Sequence, residues 1–259
     1  VMETTNRLFK EWHKKHGRLN VLIGPSGPQR CSDELLKQCA SFARDYDTVL
    51  HTHLLETKKQ VETGMSFYGK PMLLHLDDIG MLNCKTSFAH CVWLTDQEVE
   101  TAVNRESVIV HNPASNLRLG SGKAPIGAYK KAGLTIALGT DGTNCGCSVN
   151  MFESMRLAGI LHNPDEQKPE QWIQPDEVLT MATLHGAKAA GLGDETGSLE
   201  VGKKADITVL NPKRSYALNP FEQPLHQIVY GESGNGVETV IIEGKIVVDD
   251  GVITTFDEK

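Results

Sequence analysis

Two histidines one residue apart, His51 and His53, stand in the run Val49-Leu-His-Thr-His-Leu-Leu-Glu56. Val49 and Leu50 are apolar and β-prone, and strand alternation sends both imidazoles to the same side. Glu56 follows His53 by three residues, so a chain leaving that strand sets an imidazole and a carboxylate on one rim. The pair offers a metal ligand beside a general acid/base. Taken alone, the run reads more simply as a strand end with two satisfied histidines and a solvated glutamate. The pattern recurs, however. His90 closes Thr86-Ser-Phe-Ala-His-Cys91, His111 closes Ser107-Val-Ile-Val-His111, and Asp141 follows Leu134-Thr-Ile-Ala-Leu-Gly-Thr140. Neutral imidazoles with a carboxylate are a ligand set for catalytic Zn2+ or Fe2+. Hydrolysis also needs a base for water and an acid for the leaving group, and Asp141 and Glu56 are two carboxylates for those tasks.

These residues need a frame that brings strand ends together. Strand and helix patterns alternate along the first part of the chain. An amphipathic helix over Thr4 to His16 precedes a short strand at Leu19–Gly24 and a Pro/Gly loop at Gly24–Gln29. Ser32 caps the next helix. A short helix lies within Met72–Gly80, and Thr95-Asp-Gln-Glu98 is a capping box. Asn112 to Ala124 reads as a Gly- and Ser-rich loop, followed by a helix over Pro125–Lys131. Helices are expected over Asn150–Asn163 and Pro175–Ala190. Alternation of this kind means βαβ units and a parallel sheet. The strand ends fall about 29 residues apart, close to the spacing of a (β/α)8 barrel, whose chemistry sits at the C-terminal strand ends. Five units imply a partial barrel, strands four to eight, with about three units preceding Val1. From near Gly197 short strands take over, with a hairpin at Glu243-Gly244. We therefore expect residues 1–196 to be the C-terminal part of a barrel and residues 197–259 part of a small β domain.

Composition narrows the function. The chain has 259 residues, 39% hydrophobic and 23% charged, with a net charge of −7. That charge argues against nucleic acid or an anionic membrane as partner. No apolar run reaches the roughly 20 residues of a membrane helix, and the first residues lack the apolar core of a signal peptide. Six scattered cysteines then read as reduced thiols of a cytoplasmic protein. Cys145-Gly-Cys147 suits neither a disulfide nor usual zinc spacing.

Four stretches resemble the amidohydrolase superfamily: Thr48–Glu56, Phe88-Ala-His-Cys-Val92, His111-Asn-Pro-Ala-Ser-Asn-Leu-Arg-Leu-Gly-Ser-Gly122 and Leu138-Gly-Thr-Asp-Gly142. Their branch is that of triazine hydrolases, guanine and cytosine deaminases, and methylthioadenosine/S-adenosylhomocysteine deaminases. Gly197–Leu210 is similar to the segment where such proteins leave the barrel for a small β-sandwich. The resemblance implies one divalent metal, Zn2+ first with Fe2+ as the alternative, and a small-molecule substrate. It implies that His53 and Asp141 are metal ligands and that Asp141 also takes the proton of water. Glu56 would shuttle a proton to a ring nitrogen, and His90 would hold water or substrate. The family's first-strand His-x-His is not in this sequence; His51-Thr-His53 could be that pair only if more strands followed it. In nucleoside-deaminating relatives a histidine stands where Ser26 is found here. Ser26, Gln29 and Arg30 would then face substrate with hydroxyl, amide and guanidinium donors, and His111 is a further substrate-binding candidate. Ser115 and Asn116 are expected to bond their own loop's backbone.

The expected activity is hydrolytic deamination, or dechlorination, of an aminated pyrimidine, purine or s-triazine by a homo-oligomer. These residues alone are expected to be inactive for want of the first-strand ligands. The rival readings are a non-catalytic small-molecule binder, which has no use for Glu56 and Asp141 beside the histidines, and a phosphate-binding barrel enzyme. The second would rest on Gly120-Ser-Gly122 and leave the histidines unexplained.

Overall fold

The structure is a computed structural model describing residues 2–146, 148–165 and 168–257. After helices α1 (Met2–Trp12) and α2 (Asp33–Asp45) the chain enters β1 (Leu50–Leu54). Helices α3 (Lys58–Tyr68) and α4 (Met72–Asp78) lead to β2 (Thr86–His90), α5 (Asp96–Asn104) to β3 (Val108–His111), and α6 (Pro113–Arg118) and α7 (Ile126–Lys131) to β4 (Thr135–Leu138). The four strands form one parallel sheet in linear order β1-β2-β3-β4. Each parallel neighbour needs a crossover, and the helices supply it. Helix α8 (Met151–Ile160) follows, capped by the Asn150 side chain, which accepts from Phe152 N.

One face of the sheet is sealed. Leu50 and Leu54 of β1, Phe88 of β2, Ile109 of β3 and Ile136 of β4 are buried together with Leu36 of α2 and Ile126 of α7. In β1 burial alternates: Leu50, Thr52 and Leu54 are covered, His51 is half-buried and His53 exposed. A period of two thus puts both histidines on the open face.

Several expected elements differ. Leu19–Gly24 is not a strand; a single bridge joins Ile23 to Leu50, with Ile23 N donating to the Val49 carbonyl and His51 N to the Ile23 carbonyl. Gly24 and Pro25 end the ladder there, since Pro25 has no N–H to give. Helix α3 is unforeseen: it buries only Gly64, while Met65 and Phe67 stay exposed, so no apolar stripe marks it. Helix α6 stands in the expected loop, with Pro113 as its first residue. The Pro175–Ala190 helix is two, α9 (Pro175–Ala182) and α10 (Leu184–Ala189), broken at Thr183 (φ −114°, ψ −89°).

A second sheet, antiparallel, comprises β5 (Ile207–Leu210), β6 (Val237–Ile242), β7 (Lys245–Asp249) and β8 (Val252–Ile253) in sequence order. Its β6–β7 turn is the expected Glu243-Gly244, both with positive φ (51° and 75°) as a two-residue hairpin of the primed type requires. Among the described residues no helix is long and apolar enough to cross a membrane.

The Thr95–Glu98 capping box forms, and Glu98 does more than cap. Its Oε2 accepts from Thr95 N and Oγ1 (2.9 Å each), and its Oε1 accepts from Leu73 N of α4 (2.9 Å). The residue is only 1% exposed. Glu98→Ala should cost about 2–3 kcal/mol in urea unfolding, because it removes a cap and orphans a buried N–H; Glu98→Gln should cost less.

Candidate active site

Strand ends turn sharply at the open rim. Leu55, His90, Cys91 and Asp141 all have left-handed backbones (φ 46°, 74°, 47° and 59°), a conformation that costs non-glycine residues energy and clusters at functional sites. At His90 the reason is visible. Its register partner is Leu54, so plain alternation would send it to the sealed face. The left-handed turn re-aims the side chain, and the His53 and His90 rings lie nearly parallel with centroids 5.5 Å apart.

Hydrogen bonds then orient each ring. His53 Nδ1 is 2.6 Å from the Ser26 carbonyl. A carbonyl only accepts, so Nδ1 carries the hydrogen and Nε2 keeps a free lone pair. His90, 2% exposed, donates from Nδ1 to Asn116 Oδ1 (2.8 Å), and its Nε2 is 4.0 Å from Asp141 Oδ2. Ser115 Oγ donates to Asp141 Oδ2 (2.5 Å) and Gly142 N to Oδ1 (2.6 Å). Burial pushes the Asp141 carboxyl up, but the Ser115 hydroxyl, the Gly142 N–H and the neighbouring His90 and His53 outweigh it and hold the group below its ordinary value. Glu56 Oε1 accepts from Ser121 Oγ (3.0 Å).

His53, His90 and Asp141 are therefore brought together, and Glu56 is held at the end of β1 by the loop after α6. Ser115 and Asn116 do not bond their own backbone as expected; they hold Asp141 and His90. What hid them is the helical turn of α6, which aims consecutive side chains inward; both are buried. Arg118, one turn on, donates to the carbonyls of Asn144 (3.1 Å) and Gly146 (2.5 Å), pinning the loop beyond Asp141. His51 sits beside the rings, its Nδ1 2.8 Å from Ser87 Oγ; burial first, then His53 and His90, holds its pKa down.

The substrate-binding candidates divide. Ser26 and Arg30 are exposed and linked (Arg30 Nη1 to Ser26 Oγ, 3.4 Å), and Gln29 folds over Gly27 with its Oε1 buried and unpaired. His111, the last residue of β3, is 0% exposed, its ring centroid is 6.3 Å from that of His162, and neither ring nitrogen has a hydrogen-bond partner. Cys145 is a half-buried free thiol, and Cys147 lies outside the described residues. A cleft of about 1120 Å3 opens at the opposite rim, among Thr86, Ser107 and Thr135 at the strand starts, and no group of this site lines it.

Two imidazoles with outward Nε2 lone pairs and one ionised carboxylate fit part of a divalent-metal site, and the Nδ1–H bonds are the outer contacts that metal-binding histidines make. Among the described residues, no three His, Cys, Asp or Glu side chains form a complete metal cluster.

The model of the amidohydrolase family matches residues 1–247. The chain belongs to that family. It is 36% identical to a 5′-deoxyadenosine deaminase of Methanothermobacter thermautotrophicus over all of this chain and 60% of that one. It is 37% identical to a 5-methylthioadenosine/S-adenosylhomocysteine deaminase of Thermoanaerobacter pseudethanolicus, over 99% of this chain and 59% of the relative. Among solved structures, an adenosine deaminase from Xanthomonas campestris with bound zinc superposes with a TM-score of 0.92 at 29% identity, over 99% of this chain and 58% of that one. A zinc complex of an atrazine chlorohydrolase from Arthrobacter aurescens gives 0.91 at 28%, over 98% and 56%. The chain thus spans about three-fifths of the length of these amidohydrolases, and the resemblance carried by its four motifs is borne out.

Burial makes His111 a pH probe. Desolvation first, then His162 and His90, lowers its pKa from 6.5 to about 3. Between those values the unfolded chain binds a proton that the native chain refuses, so stability is intact above 6.5 and falls as pH drops. From about pH 7.5 to about pH 5.5 this histidine should cost about 1.4 kcal/mol. Urea unfolding at the two pH values should show that loss, and His111→Gln should remove it.

Proposed function

We propose that this chain is the catalytic-rim portion of a metal-dependent hydrolase that deaminates an aminated nitrogen heterocycle, with an adenine nucleoside as the first substrate class to test. The observation that carries the proposal is the convergence of His53, His90 and Asp141 at the ends of parallel strands, with ring nitrogens oriented for ligation. The relatives' names support the substrate class. Ser26, Gln29 and Arg30 are the residues through which this chain would depart from them. In this reading β1 to β4 are the last four strands of a (β/α)8 barrel, residues 1–196 are its C-terminal part, and residues 197–259 belong to a small β domain.

His53 through Nε2 and Asp141 through its carboxylate would hold the ion, Zn2+ first and Fe2+ as the alternative. Bound there, the metal supplies Lewis-acid activation of water at neutral pH. Asp141 accepts the proton of the attacking water, a task suited to a carboxylate kept ionised. His90, with Nδ1–H committed to Asn116, presents Nε2 as an acceptor and holds the water or the substrate amine. Glu56 delivers a proton to the ring nitrogen next to the attacked carbon. Water adds to that carbon, Asp141 passes the proton it took to the exocyclic amine, the C–N bond breaks and ammonia leaves, and the added hydroxyl gives its remaining proton to Glu56 as the ring keeps the oxygen.

The test is ammonia release by the natural full-length protein from adenine nucleosides, aminopyrimidines and s-triazines. Asp141→Asn and Glu56→Gln should each lower kcat by about 10²–10⁴-fold. Unchanged turnover in both would sink the assignment.

A further inference from the structure

The contacts around Glu56 close into a ring. The Leu55 carbonyl, at a left-handed residue, accepts from Val92 N (3.0 Å) and Trp93 N (3.1 Å). The Trp93 indole Nε1 donates to the Ser121 carbonyl (2.8 Å). Ser121 N donates to the Asn116 carbonyl (2.9 Å), and Ser121 Oγ returns to Glu56 Oε1 at 3.0 Å. Gly122 seals the ring: at φ +124° a Cβ there would stand 2.8 Å from Trp93 Cζ2 and 3.0 Å from Val92 Cγ1. Ser121 is 5% exposed, so water scarcely competes for its hydroxyl.

We propose that Ser121 is a positioning residue for the proton transfer: it occupies Oε1 of Glu56 and reserves Oε2 as the oxygen that carries the proton. The proposal rests on the role given to Glu56 above. A hydroxyl beside a carboxylate donates, and Oε1 goes on accepting when the acid is neutral, so the acid proton resides on Oε2. The last torsion of a glutamate is a broad two-fold rotor. Without Ser121 the proton can sit on either oxygen, and the carboxyl plane is no longer fixed. Gly120-Ser-Gly122 then has a use unconnected with phosphate. Both glycines have positive φ (67° and 124°) and turn Ser121 inward, while Trp93 fixes its carbonyl.

The test compares Ser121→Ala and Ser121→Thr in the zinc-loaded full-length enzyme, with Glu56→Gln alongside. Ser121→Ala should lower kcat by about tenfold to a hundredfold, the range of a hydrogen bond to a charged group, with KM and zinc content within about twofold. Ser121→Thr, which keeps the hydroxyl, should recover most of the rate. Wild-type kcat in Ser121→Ala, no rescue by threonine, or loss of zinc or fold along with activity would each overturn the proposal. Full activity in Glu56→Gln would instead remove the functional reading beneath it. An inactive Glu56→Gln beside an unaffected Ser121→Ala would remove this proposal alone.

Discussion

An imidazole can ligate a cation only through a nitrogen that carries no proton, and the choice of nitrogen is made by what the other one touches. That constraint governs this rim. The Ser26 carbonyl takes the Nδ1–H of His53, and Asn116 takes that of His90. Both Nε2 lone pairs are then available at the open end of the sheet, beside a carboxylate whose two oxygens are already held by Ser115 and Gly142. No catalytic group here orients itself: Ser26 holds His53, Asn116 holds His90, Ser121 holds Glu56, and Ser115 with Gly142 holds Asp141.

One short segment does much of the holding. Between residues 115 and 121 the chain touches Asp141 after β4, His90 at the end of β2 and Glu56 beyond β1, and it pins the 144–146 loop through Arg118. Loops over a rigid sheet are where sites are usually built. Here the loop is stiffened by six helical residues, so its side chains leave at fixed angles. The strands supply position, and α6 with the turn after it supplies direction.

The strand ends were legible because their signal is local. A run such as Val108–His111 is apolar up to its histidine, β-prone and bounded, and Thr86–His90, though partly polar, is likewise short, bounded and ends on a histidine. The capping box of α5 and the Glu243-Gly244 turn were legible for the same reason. The contacts that the sequence hid are long-range. Asn116 and Ser115 look like loop residues, and only the fold shows that their partners lie 26 positions away in opposite directions. Helix α3 escaped notice because it buries a glycine, not a stripe. His111 is expected to contact substrate because its neighbours in sequence resemble a site, and its complete burial, with both ring nitrogens unpartnered, left no mark in that local pattern. Ser121 stands in a recognisable stretch, but nothing in Gly-Ser-Gly points to a carboxylate 65 residues earlier.

The tautomers of the two rim histidines test the account most directly. Long-range 1H–15N correlation spectra of the 259-residue chain, assigned with His53→Gln and His90→Gln, report which ring nitrogen carries the hydrogen. The account predicts the Nδ1–H tautomer for the neutral rings of both His53 and His90. A protonated Nε2 on neutral His53 would contradict it, because that ring could not offer the lone pair on which the whole site depends.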